Sequence, residues 1–248
     1  MSDYSFQLYS ARDFPPLTDT LKMLADAGYA QVEGYGGVYE DTGATRAALD
    51  ATGLTMPSGH FSIHMLEEDE EKVCEIASAL GITHIYCPYL DASERPQDAT
   101  GWVAFAKRLE ALGERYGARG MTFGWHNHDF EFVALADGSI PMKLILDNAP
   151  NISWEADIAW IVRGGGDPLE WIKAYGERLS AVHVKDIAPN GECEDEDGWA
   201  DVGQGTMDWK KLIDTLKATP TQLFIMEHDK PSDATRFAQR SLEASQTW

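Results

Sequence analysis

In the stretch FGWHNHDFEF, residues 123–132, two histidines stand one residue apart, after an apolar run and just before two acidic residues. Imidazole and carboxylate packed together serve two kinds of chemistry. They ligate a divalent transition ion through a mixed nitrogen and oxygen set, and they move protons near neutral pH. Residues of the same types recur along the chain: Glu33 in VEGYG, His60 in SGHFS, Asp157 in EADIAW, His183 and Lys185 in VHVKD, and Glu227, His228 and Asp229 in IMEHD. Any one of them has a plain explanation as a hydrogen-bonded or solvated residue. Only a fold that brings them to one place makes them a site.

The elements that carry them are short runs rich in β-branched and aromatic residues, alternating with segments of helical period. Eight strands are expected: SFQLYS from Ser5, YAQVEGYG from Tyr29, LTMPSGHFS from Leu54, HIYCPY from His84, GMTFGWHNH from Gly120, SWEADIAW from Ser153, LSAVHVKDI from Leu179 and QLFIMEHD from Gln222. Between them, PPLTDTLKMLADAG repeats Leu17, Leu21, Leu24 and Ala25 at helical spacing, with Gly28 as its stop. DPLEWIKAYGERL opens on Asp167 and Pro168 and closes on Arg178, as the helix dipole favours. The helix after Glu131 is expected to be short. GGGDP at Gly164 reads as a flexible βα connection, and no GxxxxGK phosphate loop occurs. Eight strand-then-helix units in 248 residues match the length of about 250 typical of a single (β/α)8 TIM barrel. One domain over residues 1–248 is expected, with no linker or repeat to divide it. In such a barrel the strands' C-terminal ends build the active site. There His, Asp, His and Glu from strands five to eight would project into one mouth.

Composition excludes several classes. Asp and Glu outnumber Lys and Arg by 41 to 20, a net charge of -21 that repels a phosphate backbone and argues against nucleic-acid binding. The acidic runs LEEDEEK and GECEDEDG read as a solvated helix start and a loop. No apolar run approaches the roughly 20 residues of a membrane span. MSDYSFQLYS lacks a basic region followed by an apolar core, so no membrane contact and a cytoplasmic location are expected. Cys74, Cys87 and Cys193 are scattered without CxxC spacing, which supports neither a disulfide framework nor a cysteine metal site.

HNHDFEF, D-x-x-W, HVKD and EHD, in that order, together with FQLYSARD, VEGYG, DIAWIVRGGGDPLEWI and VGQGTMDW, resemble the sugar phosphate isomerase/epimerase group of xylose-isomerase-like TIM barrels. That group includes ketose epimerases and inosose dehydratases, and the resemblance covers nearly the whole chain. It implies a divalent metal, commonly manganese, with magnesium, cobalt or zinc in some members, held by one residue from each of four strands. Carried over by motif, three ligands are Asp157, His183 and Glu227. Ketose epimerases place Glu at the fourth position, where this chain has His126-Asn127-His128; His126 matches, with His128 as the alternative. A metal-bound imidazole nitrogen has no free lone pair, so the implied base is His128, Glu131 or Glu227. Glu131 resembles the family's substrate-contacting Glu or is a surface carboxylate in a loop. Trp160, where epimerases often carry His, either offers a face for a sugar ring or packs in the core as a large aromatic. Lys185, two residues beyond His183 and on the same strand face, reaches a substrate oxygen or phosphate or pairs with a carboxylate. Glu33 and His60, from the second and third strands, are expected as hydroxyl contacts.

The implied activity is a metal-dependent isomerase or epimerase acting on a sugar, keto-sugar or cyclic polyol through an enediolate, with a small-molecule carbohydrate as partner and a homo-oligomer as a common state of the family. Two alternatives stay open. A lyase or dehydratase expels a β-hydroxyl from the same enediolate, and a binding barrel keeps the metal or sugar pocket without turnover.

Overall fold

The computed structural model describes residues 4–248; residues 1–3, part of the N-terminal stretch and of the domain read above, lie outside the described residues. Ten strands occur among the described residues: β1 (Ser5–Gln7), β2 (Gln31–Gly34), β3 (Thr55–His60), β4 (His84–Cys87), β5 (Thr122–His126), β6 (Ser153–Asp157), β7 (Leu179–Val184), β8 (Asp186–Ile187), β9 (Trp199–Ala200) and β10 (Leu223–Met226). Eight of them close into one parallel barrel in the order β1-β10-β7-β6-β5-β4-β3-β2, and β8 pairs antiparallel with β9 as a small ribbon at the mouth. Closure is made by β1, whose Ser5 pairs with Gln31 on one side and Ile225 on the other. The strands are buried on both faces because helices cover the outside and side chains fill the inside; β7, LSAVHV, is buried at every position. The fold is the expected (β/α)8 barrel, and all eight expected strand positions are occupied.

The main core lies between sheet and helices, where Val32, Trp125, Trp154, Val182, Phe224 and Met226 point outward. Inside the barrel, a small apolar plug of Tyr86, Ala181, Leu223 and Ile225 forms the floor. Period-two alternation then aims His183 with Ala181, Glu155 with Asp157, and Ser58 with His60 into the interior.

Much of the acidity has a structural use. Seven helices begin on an aspartate whose side chain accepts a backbone N–H of the first turn: Asp41, Asp69, Asp98, Asp157, Asp167, Asp208 and Asp233. Gly28, at φ 105, ends the helix Leu17–Ala27 as its sequence foretold. The helix after Glu131, Pro141–Asn148, is short, and the three cysteines are free. No helix of the described residues is long and apolar enough to cross a membrane.

Three local readings are corrected. SWEADIAW is not strand throughout: β6 ends at Asp157, whose carboxylate caps the helix Ile158–Arg163. GGGDP joins that helix to the helix Pro168–Tyr175 rather than a strand to a helix. It is also packed, since a Cβ on Gly164 would lie 2.5 Å from the Asp129 carbonyl oxygen. The GECEDEDG loop is not all solvated, because Glu196 is buried against Arg236, whose Nη2 donates to both its oxygens at 2.8 and 3.0 Å.

Candidate metal centre

The HNH run splits into three directions. His126, the last residue of β5, points into the barrel and is buried. Asn127 turns between β5 and β6. Its Oδ1 accepts from Trp154 Nε1 at 2.8 Å and from the Asp157 amide at 3.2 Å, and its Nδ2 donates to the Asp157 carbonyl at 3.0 Å. His128 stands at the rim, its ring 5.2 Å from that of His126 and packed against Tyr89, Phe130 and Trp160. An alternating strand that is ending thus delivers two imidazoles to one space and an amide clamp to the neighbouring strand.

Asp157 is held from both ends. Its backbone is fixed by Asn127, and its Oδ1 accepts from the Trp160 amide at 2.9 Å as a helix cap. That leaves Oδ2 buried without a hydrogen-bond partner, 3.5 Å from the Lys185 ammonium. On β7, His183 uses both ring nitrogens: Nδ1 lies 2.7 Å from Glu227 Oε2 and Nε2 lies 2.7 Å from Glu33 Oε1. Glu227 directly follows β10. Donor atoms of His126, Asp157, His183 and Glu227 all lie within 4.8 Å of one another. These are the four side chains that the motif resemblance implies as ligands, from four successive strands of the barrel. A cluster able to hold a divalent cation is therefore present.

Beneath it lies an overlapping set, His60, His126, Glu155 and His183, also within 4.8 Å. Glu155 Oε2 receives His60 Nε2 at 2.6 Å and His126 Nδ1 at 3.0 Å. Gln7 Nε2 donates to Glu33 Oε1 at 2.8 Å. Glu155 and Gln7 were missed from the sequence. The signal for Glu155 was present, since it stands two residues before Asp157 on the same face of a strand whose neighbours are apolar.

The electrostatics favour a cation. Four buried carboxylates, Glu33, Glu155, Asp157 and Glu227, face the buried Lys185 ammonium and the imidazoles of His60 and His183, on which they draw protons that a divalent ion would replace. Burial raises Glu33, but His60 and His183 outweigh it and hold the carboxyl well below its ordinary range. Burial opposes charge on His60, yet Glu33 and Glu155 push it up to about 10. His183 is raised against burial by Glu227, Glu155 and Glu33. Burial pushes Asp157 up to about 7, with Lys185 working against it. Burial would also raise Glu227, but Lys185 and His183 keep it ionised. Besides Asp157 Oδ2, the buried oxygens Glu155 Oε1 and Glu33 Oε2 have no hydrogen-bond partner. Buried carboxylate oxygens facing imidazole nitrogen suit a divalent transition ion, which would satisfy groups otherwise costly to bury.

Above the cluster opens a pocket of about 880 Å³ whose lining includes His60, His126, His128, Glu227, Tyr9 and Tyr89. The other expected site residues are not gathered around it. Glu131 is buried outside the pocket lining, with Oε1 accepting from Trp125 Nε1 at 2.9 Å and Oε2 from the His128 amide at 3.0 Å; burial pushes it up to about 8. Glu33 sits below His183. Lys185 is fully buried among Asp229, Glu227 and Asp157, under the faces of Trp160 and Trp199 at 5.0 and 4.2 Å. Trp160 packs on Trp199, ring centroids 4.8 Å apart, and is absent from the pocket lining. His128 is a neutral imidazole, pushed down to about 3 by burial and by Lys185, and its Nδ1 is buried without a partner.

The barrel and its cluster place the protein in a known class. The family model of xylose isomerase-like TIM barrels matches residues 21–247, and the chain belongs to that family. Among curated relatives it is similar to the rhizopine catabolism protein MocC of Rhizobium meliloti, 25% identical over 237 positions, covering 82% of this chain and 71% of that protein. A shorter match, 29% identical over 86 residues, covers 35% of this chain and 28% of an inosose dehydratase of Lacticaseibacillus casei. Among solved structures, a sugar phosphate isomerase/epimerase from Parabacteroides distasonis superposes with a TM-score of 0.80 at 22% identity, over 98% of this chain and 93% of that one.

Proposed function

We propose that the protein is a divalent-metal-dependent isomerase or epimerase that removes a proton from the carbon beside a carbonyl of a sugar, keto-sugar or cyclic polyol. The observation that carries this reading is the convergence of His126, Asp157, His183 and Glu227 within 4.8 Å beside an open pocket. These four would hold the ion, manganese or one of magnesium, cobalt and zinc. When bound, it supplies Lewis-acid stabilisation of the negative charge that develops on the carbonyl oxygen.

The remaining chemistry falls to the chain's own side chains. Glu155 faces His126 Nδ1, which turns Nε2 of that ring to the ion, and Glu33 faces His183 Nε2, so that a bound ion would take His183 Nδ1 in place of the proton it now shares with Glu227. Glu227, held ionised, faces the pocket after β10, and His128 faces it from beyond β5. Because β6, β7 and β10 follow β5 around the barrel, the two groups reach a bound ring from different sides. Glu227 takes the proton to give an enediolate and, as the carboxylic acid so formed, returns it, while the neutral imidazole of His128 hydrogen-bonds a substrate oxygen from the other side. Glu131 acts at one remove, gripping the His128 amide.

The inosose dehydratase match favours a second reading, in which the same enediolate expels a β-hydroxyl that leaves as water after accepting a proton. Both readings share the first step. Incubation of the manganese-supplied protein with a ketose or cyclic ketone in heavy water, read by NMR, should place deuterium on the carbon beside the carbonyl, and Glu227→Gln should lose most of it. No label with any ketone tried would leave a barrel that binds metal or sugar without turnover.

A further inference from the structure

Below the four proposed ligands the barrel interior holds a second set of donors, which shares only His183 with the first. Glu33 comes from β2, His60 from β3, Glu155 from β6 and His183 from β7, so the set spans the barrel from one wall to the opposite one. All four are buried, and His60, at 9% exposure, is the one that reaches the pocket. Their contacts close a ring. His60 Nε2 lies 2.6 Å from Glu155 Oε2 and 3.2 Å from Glu33 Oε1, and His183 Nε2 lies 2.7 Å from Glu33 Oε1 and 3.5 Å from Glu155 Oε1. Two imidazole nitrogens and two carboxylates thus alternate around one point. Zinc bonds to nitrogen and oxygen of about 2.0–2.1 Å set tetrahedral donors about 3.3 Å apart, so the ring is already near that size. Shared protons alone hold such a ring together, but Glu33 Oε2 and Glu155 Oε1 stay buried in it without a hydrogen-bond partner. A cation bound between them removes that cost.

We infer a second metal site, in which Glu33, His60, Glu155 and His183 hold a zinc ion that braces β2 and β3 against β6 and β7. His126 stays out of it, because its Nδ1 is turned to Glu155 Oε2. Geometry selects the ion: four buried protein donors, two of them nitrogen, suit tetrahedral zinc, whereas manganese favours six oxygen-rich positions and goes to the site that opens on the pocket. The charge of the ion balances the two carboxylates. With both sites filled, His183 bridges them as an imidazolate, Nδ1 to the upper ion and Nε2 to the deep one, and its ring protons pass to water. The deep site goes beyond the catalytic reading and stands without it, since its own donors define it.

The experiment loads the metal-stripped full chain with excess zinc, removes loose ion by gel filtration and counts the zinc by elemental analysis. Crystals of the same material give anomalous differences at the zinc edge. The expected result is two zinc ions per chain, one of them a peak bonded to Glu33, His60, Glu155 and His183. His60→Gln should bring the count from two to one and erase the deep peak, with the circular dichroism spectrum unchanged; if that variant does not fold, Glu33→Gln makes the same comparison. Asp157→Ala should erase the upper peak and keep the deep one, so failure of the catalytic ion and failure of the deep ion are told apart. Parent crystals at saturating zinc with no deep peak would overturn the proposal whatever the count, because zinc on surface carboxylates raises the count without filling the deep position. A deep peak that persists at full height in both His60→Gln and Glu33→Gln would overturn the ligand set, and the proposal with it.

Discussion

Asn127 offers the sharpest test of how the site is held. Its fully buried side chain makes four hydrogen bonds, with Trp154 Nε1 at 2.8 Å, with the amide and carbonyl of Asp157 at 3.2 and 3.0 Å and with the His128 carbonyl at 3.5 Å. Alanine at this position leaves an indole N–H, an amide N–H and a carbonyl buried without partners, each worth about 1–3 kcal/mol. Some relief comes from water entering the space left behind, so a loss of about 3–5 kcal/mol is expected. For a chain of this size each kcal/mol moves Tm by about 2–4 °C, which gives a fall of about 6–20 °C for Asn127→Ala. Because the same bonds fix a proposed ligand, manganese affinity should fall by about 10-fold or more. Thermal unfolding followed by circular dichroism, with and without manganese, and competition against a fluorescent chelator measure both quantities. A Tm change under about 2 °C with unchanged affinity would refute the claim that Asn127 holds Asp157.

Glu155→Gln removes the anionic acceptor shared by His60 and His126; manganese affinity should drop by about 10- to 100-fold with the circular dichroism spectrum intact, and unchanged affinity would mean that Glu155 does not orient the ligands. At the ribbon side of the mouth, burial would raise Glu196, but hydrogen bonds from Ser232 and Arg236 hold it down to about 2. A carboxyl depressed in the folded state adds stability that is fully present above its ordinary value of 4.5 and is lost as pH falls from there through about 2. Urea unfolding of Glu196→Gln at pH 6 and pH 3 should therefore show a smaller acid-induced loss than the parent protein, and equal losses would show that Glu196 is not the group titrating.

The barrel was legible because parallel strands buried on both faces must be apolar runs, and eight such runs stand between segments of helical period. The ligands were legible as motifs because each stands at or directly after a strand's end. Glu155 shares a strand face with Asp157, but its role depends on His60, 95 residues away, which spacing along the chain cannot show. The run after Asp157 misled because Ile158, Ala159 and Trp160 suit a strand as well as a helix, and the capping bond from Asp157 to the Trp160 amide decides between them. The direction of Glu131 was not readable either. Trp125, one residue before the inward His126, points out toward Phe105, and its indole nitrogen is what holds Glu131 away from the pocket. Lys185 was read as a pairing or substrate-contacting cation, and the structure gives it three carboxylate neighbours at once.

The central claim is that His126, Asp157, His183 and Glu227 hold one divalent ion at the floor of the pocket. Crystals grown with manganese, with anomalous differences recorded near its absorption edge, test it directly. The account predicts one strong peak bonded to these four side chains, and its loss in Asp157→Ala crystals of the same barrel. A peak between His60 and Glu155 instead, or none at saturating manganese, would contradict it.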